Sequence, residues 1–460
     1  MAHFIVIYSK YFITLFLFLF LACGIWALCR KREKGEEPVA SLQGACLFMT
    51  LFFAYLTVVI RTGRREYLIL YAFLQLLTLA LPILASLLYP GASRIVCNHM
   101  CMLMGAGILI LTRLNFDRAV RQLVIAAVAS VAGLALPWLF MRYRKLLRKG
   151  GWVFMALGIV ALGSVAVWGR VTRGSRLSVS LFGFAFQPSE FVKILYVLFL
   201  ASVLDQDSRF WRVFLAGLGA AAHVLLLVLS RDLGSALIYF VVYVAMITIA
   251  AHRPLYLFLG ALLGSVASVG AYRLFSHVQV RFQAWKDPWS VIDNQGYQIT
   301  QSLFAMSRGG LFGLGIGKGT PSDIPYVDTD FIFSAVVEEL GLLFGIGVCG
   351  IGIVLFLLLI RLACGIRDGF TRNLTAGYAV LYLFQTFLTV GGGSKFIPLT
   401  GVTLPFISYG GSSMTATILM FFVVQGVFVL RHDEESKLEK QRKRKAKREK
   451  ENGGIQQAEV

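Results

Sequence analysis

A long apolar run that returns about thirteen times limits this chain more than any other feature. As a helix rising about 1.5 Å per residue, eighteen or more such residues cross the ~30 Å hydrocarbon layer of a bilayer. Candidate helices fall near 11–29, 43–60, 67–89, 95–112, 121–141, 152–169, 188–205, 211–229, 232–251, 254–275, 331–360, 374–392 and 409–430. Composition agrees: 57% of the 460 residues are apolar and only 15% are charged, where soluble domains carry roughly 25% charge. The mean hydropathy is +0.73. A water-soluble enzyme is excluded, and the expected fold class is an all-α polytopic membrane bundle.

Orientation follows from lysine and arginine at helix ends, which are retained on the cytoplasmic side. Arg30, Lys31, Arg32 and Lys34 follow the first helix; Arg142, Arg144, Lys145, Arg148 and Lys149 the fifth; Arg361, Arg367 and Arg372 the eleventh. If thirteen helices alternate, these loops share the cytoplasmic side with the tail 431–460 and its ten basic residues. The N-terminus and the stretch Ser276 to Asp330 then lie outside. Arg61, Arg64 and Arg65 break the pattern, because the same alternation places them outside. Cys29-Arg-Lys-Arg-Glu-Lys34 follows the first run where a signal peptide would have a small-residue cleavage site, so that run reads as a retained span.

The net charge of +20 says little about a substrate, since positive-inside retention accounts for the tail. Membrane lipids are its natural neighbours, each basic residue near an anionic surface contributing about 1 kcal/mol. Nucleic acid is not expected as a partner, because neither aromatic interleaving nor a folded basic domain accompanies the charge. The seven cysteines lie in or beside apolar runs and imply no disulfide framework. Cys97, His99 and Cys101 lack a fourth ligand and surrounding polar groups, so no metal site is read there.

Chemistry concentrates in the external stretch 276–330, too long for an ordinary connection. It holds Asp287, Asp293, Asp323, Asp328 and Asp330 with Arg281, Lys286, Arg308 and Lys318. Trp285, Trp289, Tyr297, Phe304, Phe312 and Tyr326 argue that it folds, and Tyr297 to Met306 has the apolar spacing of an interfacial helix. Phe312-Gly-Leu-Gly-Ile-Gly-Lys-Gly319 could cradle a phosphate through backbone N–H groups. It lacks the spacing of a nucleotide loop, and a close-packed turn is the simpler reading. Inside the spans, Glu190 and Lys193 share a helix face, fitting either an ion pair between helices or a polar cavity. Glu338 and Glu339 are expected two turns into the eleventh helix, with at least one lining a cavity reached from outside. Asp232 is a candidate N-cap.

Phe184-Ala-Phe-Gln-Pro-Ser-Glu-Phe-Val-Lys193, Asp232-Leu-Gly-Ser235, Asp287-Pro288, Gly296-Tyr-Gln-Ile-Thr-Gln-Ser302, Asp330-Phe-Ile-Phe333, Glu338-Glu-Leu-Gly341 and Pro405-Phe-Ile-Ser-Tyr-Gly-Gly-Ser-Ser413 resemble, in order, the motifs of the SEDS (shape, elongation, division and sporulation) family, which includes RodA, FtsW and SpoVE. The resemblance divides the chain into an N-terminal addition of about three transmembrane helices (1–94), a ten-helix SEDS-like core (95–430) containing the partly helical loop 276–330, and the basic tail 431–460. It implies a multi-pass glycosyltransferase of the bacterial cytoplasmic membrane. Such an enzyme polymerises lipid II into glycan strands at the outer face, releases undecaprenyl diphosphate and works beside a class B penicillin-binding protein. On the same resemblance Asp287 is the catalytic acidic residue, able to accept a proton or hold a divalent metal (magnesium or manganese). Gln187, Glu190, Lys193, Arg281, Lys286, Gln298, Gln301, Ser302, Lys318, Asp330 and Ser408 are substrate-contacting or cavity-shaping positions.

Three positions depart from the family pattern: Asp328 stands where histidine is frequent, Arg231 where proline is common, and Thr400 in Pro398-Leu-Thr-Gly401 where division-type members often carry lysine. Two other functions fit many spans with buried ionisable groups. One is a flippase for lipid-linked precursors, whose chemistry belongs near the midplane. The other is a non-catalytic membrane scaffold for a penicillin-binding protein. The long external loop favours the enzyme.

Overall fold

The computed structural model describes residues 2–29, 36–168, 170–172, 175–181, 184–206 and 210–458. The helices are α1 (Ala2–Cys29), α2 (Glu36–Thr62), α3 (Glu66–Leu88), α4 (Arg94–Leu114), α5 (Phe116–Gly133), α6 (Leu136–Lys149), α7 (Gly151–Trp168), α8 (Pro188–Gln206), α9 (Phe210–Leu229), α10 (Leu233–Ala251), α11 (Leu255–Leu274), α12 (Ser276–Lys286), α13 (Tyr297–Gly309), α14 (Ile332–Leu340), α15 (Leu342–Cys364), α16 (Gly369–Gly393) and α17 (Gly411–Ala458). Among the described residues, ten helices are individually long and apolar enough to cross a membrane. The expected fifth span is the pair α5 and α6, bent by 50°. Pro137 opens α6, and its missing N–H lets the helix restart at a new angle. At the bend α17 comes so close that a Cβ on Gly133 would stand 2.4 Å from the Phe422 ring.

The membrane body is helical, as expected. Between α7 and α8 the chain adds β1 (Arg170–Thr172), β2 (Ser175–Leu181) and β3 (Phe184–Phe186), an antiparallel sheet in the order β1-β2-β3. The basic residues of 431–444 continue α17 rather than leaving it.

Ion pairs and caps show which helix ends lie together. At one end Arg144 and Arg148 reach Asp368 at 3.3 and 3.5 Å, Arg148 also reaches Asp205 at 2.6 Å, and Arg361 donates to the carbonyls of Ala27 and Leu28 at 2.9 and 2.7 Å. At the other, Lys10 donates to Gly313 O at 2.9 Å and Arg61 to Ile316 O at 2.8 Å. The basic end and the loop end are therefore opposite, as alternation requires. Arg30, Lys31, Arg32 and Lys34 lie outside the described residues. Arg61, out of place by the charge rule, is held by a carbonyl of the long loop.

The expected eleventh helix does not run through 331–360. Gly341 takes φ 94° and ψ 164°, a conformation that costs glycine little, and separates α14 from α15. The loop after α13 satisfies the broken ends: Leu314 and Gly315 donate to the carbonyls of Glu338 and Glu339 at 3.0 and 2.9 Å, while Leu342 donates to Gly310 O at 2.9 Å. Glu338 and Glu339 accordingly sit in a short helix at the loop end, not two turns inside a span. The core is centred on α4, whose apolar and polar side chains alike are buried from Ile95 to Thr112. Around it pack α2, α3, α5 and α15. By contrast, Gly260 is the sole buried residue of α11, so that helix lies at the lipid margin.

Candidate active site

The loop end carries two polar regions. The first lies beneath the surface at the start of α8. Lys193 Nζ contacts Glu190 Oε1 at 2.9 Å and donates to Gln385 Oε1 of α16 at 3.0 Å; Gln385 Nε2 donates to Thr403 O at 2.9 Å. Ser189 Oγ donates to Asp232 Oδ2 at 3.4 Å, and Gln187 Nε2 donates to Ser189 Oγ at 3.1 Å. Asp232 caps α10 by accepting the Ser235 amide at 3.1 Å, the role expected of it. Glu190 and Lys193 are both buried, so the charges are held by each other and by amides rather than by water. Their spacing on α8 sets the pair; Gln385, from far along the chain, carries no signal in the sequence.

The second region opens to the surface. α12 lies over the C-terminal end of α16, with Trp285 Nε1 donating to Lys395 O at 3.1 Å and Arg281 Nη1 donating to Thr400 O at 2.9 Å. Beside it is a crevice of about 310 Å³ whose lining includes Arg281, Ala284, Gln298, Tyr326 and Asp330. Asp287 follows α12 as its C-cap residue, one turn beyond Ala284. It is exposed, it is not among the residues lining that crevice, and its Oδ1 accepts the Ser290 amide at 3.3 Å. The turn before Ser290 is the local role expected of an aspartate preceding proline, and the side chain stays open to solvent.

Of the positions expected to contact substrate, Arg281, Gln298 and Asp330 meet in this crevice. Lys286 is exposed near Asp287, and Lys318 is exposed on the glycine-rich turn. Gln301 is half-buried on α13. Ser302 is buried and donates to Gly393 O at 2.7 Å, which fastens α13 to α16. Ser408 Oγ accepts the Leu404 amide at 2.9 Å and donates to Thr329 O at 2.5 Å, fixing the turn before α17. Gln187, Glu190 and Lys193 belong to the buried network. Asn294, Gln295 and Tyr326 also line the crevice; their placement depends on how the loop folds back, which spacing does not reveal.

The glycine-rich turn is packed, not an empty cradle, because two of its N–H groups are used on α14. Glu338 Oε1 accepts the Thr320 amide and contacts Arg308, both at 3.1 Å. Glu339 Oε1 lies 3.1 Å from Arg113 Nε. Burial pushes the Glu339 carboxyl up to about 7, against the opposing pull of Arg113.

Two departures acquire physical content. Asp328 pairs with Arg118, which also lies over the Tyr409 ring at 5.4 Å, so an ionic clasp stands where the resemblance leads one to expect histidine. Arg231 has φ 60°, which the proline ring forbids, and the turn before Asp232 changes with it. Thr400 supplies one of the carbonyls that hold Arg281. Among the described residues no cluster of three or more His, Cys, Asp or Glu side chains could hold a metal.

Residues 94–432 match the cell cycle protein family of FtsW, RodA and SpoVE. The chain is 32% identical over 351 residues to a peptidoglycan glycosyltransferase RodA of Mycobacterium tuberculosis, covering 70% of this chain and 75% of that protein. It is 32% identical over 324 residues to stage V sporulation protein E of Bacillus subtilis, covering 68% and 87% respectively. A chain solved in work on the coordination of polymerization and crosslinking by a peptidoglycan synthase complex superposes with a TM-score of 0.61 at 27% identity, over 73% of this chain and 97% of that one.

Proposed function

Because the chain belongs to the FtsW, RodA and SpoVE family, we propose that it is a peptidoglycan glycosyltransferase that polymerises lipid II at the outer face of the bacterial cytoplasmic membrane. The observation that carries this reading is the loop-end crevice, with Arg281, Gln298 and Asp330 in its wall and the exposed carboxylate of Asp287 one turn further along α12. Relatives named peptidoglycan glycosyltransferase share 32% and 33% identity with the chain over 70% and 61% of its length.

The chemistry needs a base for the attacking hydroxyl and positive charge for the departing diphosphate. Asp287 takes the proton from the 4-hydroxyl of the acceptor sugar as its oxygen bonds to the anomeric carbon of the donor glycan. The bond from that carbon to the diphosphate oxygen breaks, and undecaprenyl diphosphate leaves with the electron pair. Single displacement inverts the anomeric centre. Arg281, Lys286 and Lys318 are the cations assigned to the diphosphate; Arg281 is oriented by two backbone carbonyls. The buried network at α8 ties that helix to α16 and to Thr403. A class B penicillin-binding protein is the partner proposed for crosslinking, supported by the likeness to a chain of a peptidoglycan synthase complex.

A flippase is the second reading, supported by the buried ion pair Glu190 and Lys193. Purified protein given labelled lipid II, with a series of divalent metals and with or without its transpeptidase, separates the two. The enzyme yields glycan polymer in detergent, where there is no second leaflet. Lipid movement across liposomes without polymer would replace it with the transporter.

A further inference from the structure

At the basic end of the molecule, α6 exposes an unusual combination of side chains. The eighteen residues of α5, at about 1.5 Å each, rise roughly 27 Å, nearly the ~30 Å of a bilayer's hydrocarbon. The 50° bend therefore stands close to the headgroup boundary, and α6 continues there at a new angle. Its fourteen residues hold five basic side chains and no acidic one. Pro137 and Phe140 are its buried residues, packed so closely on α17 that a Cβ on Gly426 would stand 3.0 Å from Pro137 and 3.1 Å from the Phe140 ring. The opposite side is open.

That open side carries two adjacent stripes. Trp138, Arg142, Lys145 and Lys149 form one; Leu139, Tyr143 and Leu146 form the next, about 100° around the helix. All seven are exposed, Leu146 by 67%. In water the second stripe would be left uncovered, and in hydrocarbon the first would bury three charges. A helix lying in the interface satisfies both, its basic stems reaching the headgroups and its apolar stripe the acyl boundary. The three charges are also uncompensated by protein. Arg144 and Arg148 are drawn to Asp368, Asp205 and Glu434, whereas among the described residues no acid pairs with Arg142, Lys145 or Lys149. The tail differs, since there Glu435 takes Arg431 and Glu439 takes Lys443, both at 2.7 Å.

We propose that the exposed face of α6 is a binding surface for anionic glycerophospholipids of the leaflet at the basic end, with Arg142, Lys145 and Lys149 on the lipid phosphates and Leu139, Tyr143 and Leu146 against the upper acyl chains. A headgroup of net negative charge matches three cations with no acid among them, while a zwitterionic one brings its own cation against them. An acidic protein segment matches the charge but leaves the apolar stripe beside it uncovered. The surface lies at the end opposite the crevice, so it stands apart from the reading of the chain as a polymerase.

The test uses the full chain in phosphatidylcholine vesicles that contain a minority of brominated phosphatidylglycerol or, for comparison, of brominated phosphatidylcholine. Bromine quenches nearby tryptophan, and the signal of Trp138 is the difference between the wild type and Trp138→Phe. Quenching is expected to report about fivefold enrichment of phosphatidylglycerol over phosphatidylcholine beside Trp138, the effect of one well-placed basic residue at an anionic surface. Arg142→Gln, Lys145→Gln and Lys149→Gln together should remove the enrichment, and each alone should lower it, so the outcome does not depend on the triple variant folding. Lys437→Gln, Lys440→Gln and Arg442→Gln in the tail should leave it unchanged. Inorganic phosphate should compete no better than sodium chloride of equal ionic strength. Equal quenching by the two lipids, an enrichment that survives the α6 substitutions, or one lost with the tail substitutions would overturn the proposal. Displacement specific to inorganic phosphate would also overturn it and assign the stripe to a soluble anion.

Discussion

Lys193 and Asp287 lie at the same end of the molecule and differ in what surrounds their charge. The Lys193 ammonium touches Glu190 and Gln385 within protein, and both charged partners are buried. Asp287 accepts one backbone amide and is otherwise open to the outside. A buried pair that satisfies itself has little capacity left for a substrate and much to lose when one member is removed. An exposed carboxylate beside a crevice walled by Arg281 and Asp330 contributes little to folding and remains available to a hydroxyl. The contrast divides the family-like motifs by setting: those at the start of α8 hold helices together, and those along α12 stay open to solvent, where the proposed reaction needs them.

Removing one member of the buried pair should produce the largest change in stability. Lys193→Met leaves Glu190 uncompensated, and a loss of about 3–5 kcal/mol is expected, read as a lowered melting temperature in detergent. Melting within a degree or two of wild type would mean that water or substrate already reaches the pair, and the contrast would fail.

Glu339 provides a pH-dependent version of the same comparison. Its carboxyl is raised to about 7 by burial, with Arg113 opposing, so the folded state favours the protonated form. The stability it contributes is complete below about 4.5 and is lost as pH rises through about 7, a change on the order of 3 kcal/mol. Melting between pH 5 and pH 8 should follow that course, and Glu339→Gln should flatten it.

At the exposed region, effects should appear in turnover more than in melting. Arg281→Gln removes a crevice cation and is expected to slow polymer formation about tenfold, or ~1.4 kcal/mol, beyond the loss of about 1 kcal/mol of stability from its carbonyl bonds. Smaller still, Lys10→Ala or Arg61→Ala removes one tie between the N-terminal helices and the glycine-rich turn, each costing about 1 kcal/mol. Proteolysis of the turn between Gly309 and Thr320 should quicken in both.

How far the sequence reveals this arrangement depends on the range of the force involved. Long apolar runs mark the spans because a bilayer selects for length and hydrophobicity within one segment, and α1 through α4 appear where the runs predict them. The spacing of Glu190 and Lys193 discloses their pairing for the same local reason, as does the apolar pattern that becomes α13. Distant contacts are not legible in this way. The break at Gly341 needs the turn 310–315 to satisfy it, and nothing near residue 341 announces that partner. Arg118 with Asp328 and Arg61 with Ile316 join parts of the chain more than two hundred residues apart, so charge patterning alone leaves Arg61 as an exception to the topology. The site shows the same division: Asp287 is identified by motif, whereas the crevice assembles from α12, α13 and the segment before α17 only when the loop folds back.

The most direct test of this account is a single-turnover measurement of undecaprenyl diphosphate release from labelled lipid II, comparing wild type with Asp287→Asn at equal folded concentration and saturating substrate. The account predicts that the variant melts like wild type, still binds lipid II, and releases the diphosphate at least ~100-fold more slowly, in the range for loss of a general base. Release at the wild-type rate by the folded variant would contradict it and move the chemistry away from the end of α12.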